Sequence, residues 1–156
     1  MSTEPVHKVA AYITRGERLL VFRHVDFPEA GIQVPGGTLL PGESPVDGAL
    51  REAREETGLC ALTPVAYLGV RRHLSDLPDP KVFERHYVHL LCEEETPDRW
   101  VAWEHDPSDG SPGPIAFEHR WVPLAAVPRL RPSMSDLLGA IGGIQCTAAP
   151  DGTTDS

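Results

Sequence analysis

Cysteine is scarce in this chain. Cys60, Cys92 and Cys146 are odd in number and far apart, and none stands in a C-x-x-C pair. That spacing excludes a disulfide framework and leaves three reduced thiols, as expected of a cytoplasmic protein. Basic residues are also few: 14 Lys and Arg stand against 23 Asp and Glu, for a net charge of −9, and no Lys/Arg cluster is present. A nucleic-acid polymer selects a positive face, so it is not an expected partner. No apolar run approaches the roughly 18 residues that cross a bilayer, so no membrane association is expected. The start, "MSTEPVHKVAAYI", has no basic segment ahead of an apolar run, which argues against a secretory leader. There are no internal repeats of solenoid period.

What is present is enough for a packed core: 40% of the 156 residues are apolar. Residues 1–144 read as a single domain, with a polar insertion at about 93–114 and a disordered tail at 145–156. "HKVAAYIT" and "ERLLVFRHV" predict two strands joined by a turn at Arg15-Gly16. "IQVPGG" predicts a short strand broken by Pro35. Further strands are expected at about Val65–His73, Val82–Cys92 and "IAFEHRWVPL", with a turn at "SDLPDP". A helix is expected from Ser44 to Thr57. A second is expected over "SMSDLLGAIGGI", capped at Ser133 or Ser135 and ended by Gly142-Gly143. The order implies an α/β layered fold built on a mixed sheet.

The first of these helices concentrates charge. Ser44 is placed to cap it, with Asp47 three residues on, Pro45 at the first helical position and Gly58 just past the end. At 100° per residue, Val46, Ala49, Leu50, Ala53 and Thr57 share one side. Glu52, Glu55 and Glu56 form a neighbouring stripe, and Arg51 lies off it. Gly48 sits on the stripe one turn before Glu52. A mid-helix glycine costs about 1 kcal/mol against alanine, and one reason to accept it is space over the carboxylates. The glycines of the preceding "PGGTLLPGE" allow backbone to approach a ligand closely. Several oxygen ligands at helical spacing suit a hard cation, Mg²⁺ or Mn²⁺, whereas zinc would want His or Cys. Such a cation would let an acidic protein bind a small phosphorylated ligand.

Gly37, Glu43 and the run Arg51-Glu52-Ala53-Arg54-Glu55-Glu56-Thr57-Gly58-Leu59 resemble the signature of the Nudix hydrolases, G-x5-E-x7-R-E-U-x-E-E-x-G-U, with Ala53 the one small residue at an aliphatic position. The resemblance implies a Nudix-like α/β/α sandwich with a mixed β-sheet between helices. It also implies hydrolysis of a nucleoside diphosphate linked to another moiety, with Mg²⁺ or Mn²⁺. Glu52, Glu55 and Glu56 would ligate metal, with the carbonyl of Gly36 or Gly37. Glu43 and Arg51 would form an ion pair holding the loop on the helix. The partner is then a small nucleotide or pyrophosphate substrate, and the resemblance extends to a homodimer, since many of the family's members are dimers. A box glutamate such as Glu52, or a distant one, would accept the proton of the attacking water; Glu118 in "AFEHRW" is the distant candidate. Intact box glutamates favour catalysis over the alternative, a non-catalytic nucleotide-sensing module.

Outside the box, Trp100 and Trp103 could stack on a base, and Arg23, Arg71 or Arg72 could contact phosphates. Arg71 and Arg72 would point to opposite faces of a strand, so at most one faces the site. The seven histidines show no pairing that reads as a metal motif. His86 and His89 fall on opposite faces of one strand. The region after the box, "RRHLSDLPD", matches neither the proline of ADP-ribose pyrophosphatases nor the tyrosine of diadenosine polyphosphate hydrolases; Pro78 and Tyr67 are off those positions. The chain's compact length leans toward a (d)NTP or a nucleoside diphosphate derivative.

Overall fold

A computed structural model describes residues 4–75, 78–104 and 114–141. The expected tail, Gly142-Gly143, Cys146, the middle of the "SDLPDP" turn and residues 105–113 of the polar insertion lie outside the described residues. Among the described residues the strands are β1 (Val6–Arg15), β2 (Arg18–His24), β3 (Gly36–Thr38), β4 (Leu62–Leu74), β5 (Val82–Cys92), β6 (Arg99–Glu104) and β7 (Ile115–Pro123), with one α-helix, α1 (Pro45–Thr57). They form one mixed sheet in the order β4-β5-β1-β2-β7-β6, with β3 on β1. β1 and β5 run parallel and the other strand pairs antiparallel.

The sheet opens where the glycines sit. β1 and β2 pair only at Thr14↔Leu19 and Arg15↔Arg18, next to the hairpin turn. Farther along, β3 and the segment leading into it come between them, with Val9↔Gly37 and Ala10↔Gly36 on the β1 side and, from Gln33 ahead of β3, an isolated Phe22↔Gln33 bridge to β2. A Cβ on Gly36 would lie 2.2 Å from the Val9 carbonyl oxygen. Only glycine fits the wedge.

α1 forms as its ends dictate. The Asp47 amide donates to Ser44 Oγ at 3.1 Å. Gly58 takes φ +80 in the left-handed region, and its amide donates to the Arg54 carbonyl. Ala49 and Ala53 are buried against Val9, Ala11, Ile13, Leu20, Val88 and Leu90, with Val46 and Leu50 packed at the border. Small alanines let the helix lie close to the sheet. That proximity is what carries the glutamates inward.

Two expectations are corrected. Arg99–Glu104 is a strand rather than part of a loop, paired with β7 from Arg99↔Arg120 to Glu104↔Ile115. Its central residues Trp100, Val101 and Trp103 are strand formers, and they find a partner edge in β7. The second α-helix is replaced by tight turns and a 3-10 segment, Leu138–Ala140, so among the described residues the sheet carries an α-helix on one face only. Ser133 takes φ +70, outside the extended conformation that an N-cap adopts. Tyr87 Oη donates to the Ser133 carbonyl at 2.6 Å. Tyr12 Oη donates to the Met134 carbonyl at 2.6 Å and accepts from the Leu137 amide at 3.3 Å. The tyrosines thus supply partners that a helix would have found along its own axis. Leu137, Leu138 and Ile141 still cover that face of the sheet, over Ala10, Tyr12, Leu19 and Val21.

Candidate metal centre

The helical stripe divides by depth. Glu52 is fully buried, Glu56 is buried, and the Glu55 side chain is about half exposed. A third buried carboxylate comes from the opposite direction: Glu104, at the end of β6. One oxygen from each of Glu52, Glu56 and Glu104 lies within 4.8 Å of the others. Sequence reasoning missed Glu104 because its segment read as a loop. The available signal was the apolar run Trp100-Val101-Ala102-Trp103, rich in β-formers; in the strand, Trp100, Ala102 and Glu104 are the less exposed residues.

The loop glycines close the other side. A Cβ on Gly37 would lie 2.3 to 2.6 Å from the carboxylate atoms of Glu52, so the carboxylate rests on bare backbone. The Gly36 amide donates to Glu56 Oε1 at 3.3 Å. Gly48 leaves its space to different atoms than expected. A Cβ there would meet Leu39 Cδ2 at 2.2 Å and Glu43 Oε1 at 3.2 Å, so the gap admits the incoming loop and not a ligand over the carboxylates.

Arg51 and Glu43 form the expected ion pair. Nε donates to Glu43 Oε2 and Nη2 to Glu43 Oε1, both at 2.8 Å. Nη2 also donates to the Thr38 carbonyl at 3.1 Å, and Nη1 to Glu52 Oε2 at 3.0 Å. One guanidinium thus ties loop, strand β3 and helix together in the fork geometry that lysine lacks. The Arg51 hydrogen bond holds the Glu43 carboxyl below its usual range.

Electrostatics inside the cluster are unfavourable as built. Burial, then Glu52 and Glu104, push the Glu56 carboxyl well above the ordinary carboxylate range. Three buried carboxylates this close together call for a cation. The donor set is all oxygen, and the Gly37 cradle aligns Glu52 toward it, so the residues fit Mg²⁺ or Mn²⁺.

His119 closes the pocket from β7. It is fully buried, its Nε2 donates to the Glu56 carbonyl at 3.0 Å, and burial pushes its imidazole down to about 4. It is therefore neutral, stacked at 5.4 Å on the Trp100 ring. Trp100 itself donates Nε1–H to the Thr57 carbonyl at 3.1 Å and packs on the core. The indole pins the end of α1 and is not presented for stacking on a base. Trp103, three residues on, faces the other side and is exposed.

The remaining candidates are not brought to the cluster by any described contact. Since His119 faces α1, the adjacent Glu118 points to the opposite face. There Arg23 Nε donates to Glu118 Oε1 at 2.7 Å, and that bond holds the Glu118 carboxyl low. Arg23 is spent on the same pair. Arg71 is exposed and donates to the carbonyl of Val70 at 3.1 Å, and Arg72 pairs with Glu84. Cys92 is buried in the core, where burial raises its thiol, and Cys60 is exposed.

The chain matches the NUDIX domain over residues 5–139. Among solved structures it is similar to a UDP-X diphosphatase, with TM-score 0.61 and 20% identity, over 89% of this chain and 63% of that one. It is similar to a NUDIX hydrolase from Nitrosomonas europaea, with TM-score 0.51 and 26% identity, over 61% of this chain and 64% of that one. It is also similar to a MutT NUDIX hydrolase from Burkholderia pseudomallei, with TM-score 0.57 and 21% identity, over 88% of this chain and 98% of that one. The match thus spans just under two thirds of the length of the first two proteins.

Proposed function

This chain belongs to the Nudix family, and on that premise we propose that it is a pyrophosphohydrolase. It cleaves a nucleoside diphosphate linked to another moiety, a (d)NTP or a nucleoside diphosphate derivative, by attack of water at phosphorus. The observation that carries the reading is the meeting of Glu52, Glu56 and Glu104 in one buried pocket behind a glycine cradle.

Glu52, Glu56 and Glu104 would hold Mg²⁺ or Mn²⁺, joined by Glu55 at the rim and the carbonyl of Gly36 or Gly37. A divalent ion held there would supply positive charge for the phosphate oxygens and a lowered pKa for water. Glu55 is the box carboxylate that reaches solvent, and Arg51 Nη1 lies 3.5 Å from its Oε1. Glu55 therefore takes the proton of the attacking water, a role worth about 10²–10⁴-fold in rate. Arg51 positions it, since the same guanidinium holds Glu43 and Glu52. Glu118, paired with Arg23 across the sheet, has no part in this step. The substrate is a small molecule met in the cytoplasm.

The test is a hydrolysis screen with Mg²⁺ and Mn²⁺ over nucleoside triphosphates, nucleotide sugars, dinucleoside polyphosphates and ADP-ribose. Phosphate or nucleotide release from at least one class is expected, and it should be lost in Glu55→Gln. Nucleotide affinity without release across the whole panel would defeat the proposal.

A further inference from the structure

A second group of metal-binding residue types stands where the parallel strands meet. The register of β1 and β5 sets His7 beside Glu84 and Val9 beside His86. Val9 and Val88 lie in the core beneath α1. By strand alternation His7, Glu84 and His86 share that face, at the ends of the strands where the side chains reach solvent. His7 Nδ1 lies 3.5 Å from Glu84 Oε1, and the two imidazole centroids are 6.0 Å apart. One ligand atom from each residue lies within 4.8 Å of the other two.

The neighbours orient these groups. Arg72 Nε donates to Glu84 Oε2 at 3.1 Å, and Arg72 Nη2 bonds the same oxygen. That fixes the carboxylate with Oε1 turned toward His7. Tyr67 Oη lies 2.8 Å from His86 Nδ1. When Nδ1–H donates to that oxygen, Nε2 presents its lone pair, the second-shell arrangement typical of metal-bound histidine. Burial also lowers the His86 imidazole, which keeps it neutral and able to ligate.

We propose that His7, Glu84 and His86 form a Zn²⁺ site, distinct in residues and in chemistry from the acidic cluster. Two imidazole nitrogens and one carboxylate oxygen are a zinc donor set, while the all-oxygen trio suits a hard cation. Ligand atoms about 2.0–2.1 Å from a tetrahedral zinc stand about 3.4 Å apart. The group must therefore contract on binding, and the His7 side chain, half exposed, is the one free to turn inward. Three protein ligands leave a fourth position open to solvent. Bound there, zinc staples the first strand of the sheet to β5.

The experiment uses the full chain stripped of metal and titrated with Zn²⁺ against a chromophoric chelator, with Co²⁺ absorption as a second readout. One zinc equivalent is expected to bind in the wild type and equally in a Glu52→Gln/Glu56→Gln variant. His86→Ala and His7→Asn should each weaken it by about 100-fold or more, and Tyr67→Phe by about 10–100-fold. The Co²⁺ band should disappear in His86→Ala. His7 is exposed enough for His7→Asn to fold, and Mg²⁺-dependent hydrolysis, if present, should be unchanged in it. Zinc binding that survives both histidine substitutions, that vanishes in the glutamate variant, or that is no tighter than nonspecific surface binding in the wild type would overturn the proposal.

Discussion

Among the described residues two trios of metal-binding residue types occur, each with ligand atoms within 4.8 Å, and they differ in almost every other respect. The acidic trio is buried on all three sides and is held by a glycine cradle, a fork-shaped arginine and a buried histidine. The histidine trio lies at a strand seam, with His7 exposed and Glu84 and His86 half-buried. A buried like-charged cluster is costly until a cation arrives, so its geometry must be enforced by the fold around it. A half-exposed, mixed trio costs little without metal and needs only a register and two orienting neighbours. The first is a frame built before its ligand, and the second closes on it.

The largest expected effect follows from that contrast. Glu56→Gln removes a buried carboxylate from the enforced frame, and hydrolysis should fall by about 10³-fold, several kcal/mol of transition-state stabilisation. His86→Gln should leave hydrolysis within a factor of about two, since the two trios share no residue. Steady-state rates in Mg²⁺ check both. Equal losses in the two variants would merge the trios into one functional unit.

Next in size is acid sensitivity. Burial holds the His119 imidazole at about 4, against 6.5 for an ordinary histidine. The unfolded chain therefore binds a proton that the folded chain refuses. Stability is full above 6.5 and falls as pH drops toward 4, by roughly 3 kcal/mol at the low end. Glu56 has the opposite slope. Its raised carboxyl contributes stability that is full below 4.5 and lost as pH rises. Metal-free Glu56→Gln protein removes that second slope, and in it the melting temperature should drop between pH 6.5 and pH 4. Adding His119→Gln should flatten most of that drop. An unchanged drop would move the acid-sensitive group elsewhere, with His86 and His89, both also lowered by burial, the next to examine.

How much of this was readable in the sequence depends on how far apart the cooperating residues are. Ser44, Gly58, Glu52 and Glu56 act within single helical turns, so caps and stripe could be placed from spacing alone. The Glu43–Arg51 pair was reached through the family signature and fits the same local arm. Glu104 could not be placed the same way, because its position depends on β6 pairing with β7 after a polar stretch that resembles a loop. His7 and His86 share no local pattern at all and meet only through a parallel register. The second helix was misread for a related reason: hydroxyls of Tyr12 and Tyr87, remote in sequence, bond the backbone of Ser133–Leu137 and allow turns where local propensity favours a helix. Glu118 was misplaced by a single strand step, since its neighbour His119 is the residue that turns toward α1.

The enforced frame can also be strained directly. Gly37→Ala would set a methyl 2.3 Å from the Glu52 carboxylate carbon. Glu52 is fully buried and bonded to Arg51, so it cannot swing aside, and the expected destabilisation is about 1–3 kcal/mol. Denaturant midpoints measure it, and activity should fall with it. Wild-type stability and rate in the Gly37→Ala variant would show that the cradle is looser than its geometry indicates.

The smallest effect separates the trios by ion. Mg²⁺ takes oxygen ligands and keeps several waters, so it should bind the acidic trio and pass over the imidazoles. A ligand bound only by the folded state at ten times its Kd raises stability by about 1.4 kcal/mol. Mg²⁺ should therefore raise the melting temperature of the wild type and of His86→Gln by the same few degrees, and leave Glu52→Gln nearly unmoved. Zn²⁺ should reverse the pattern, stabilising Glu52→Gln and failing on His86→Gln. The crossed design matters because either ion alone could act through general charge relief on a chain of net charge −9. Relief of that kind would depend on ionic strength and would appear in every variant equally, which neither trio allows.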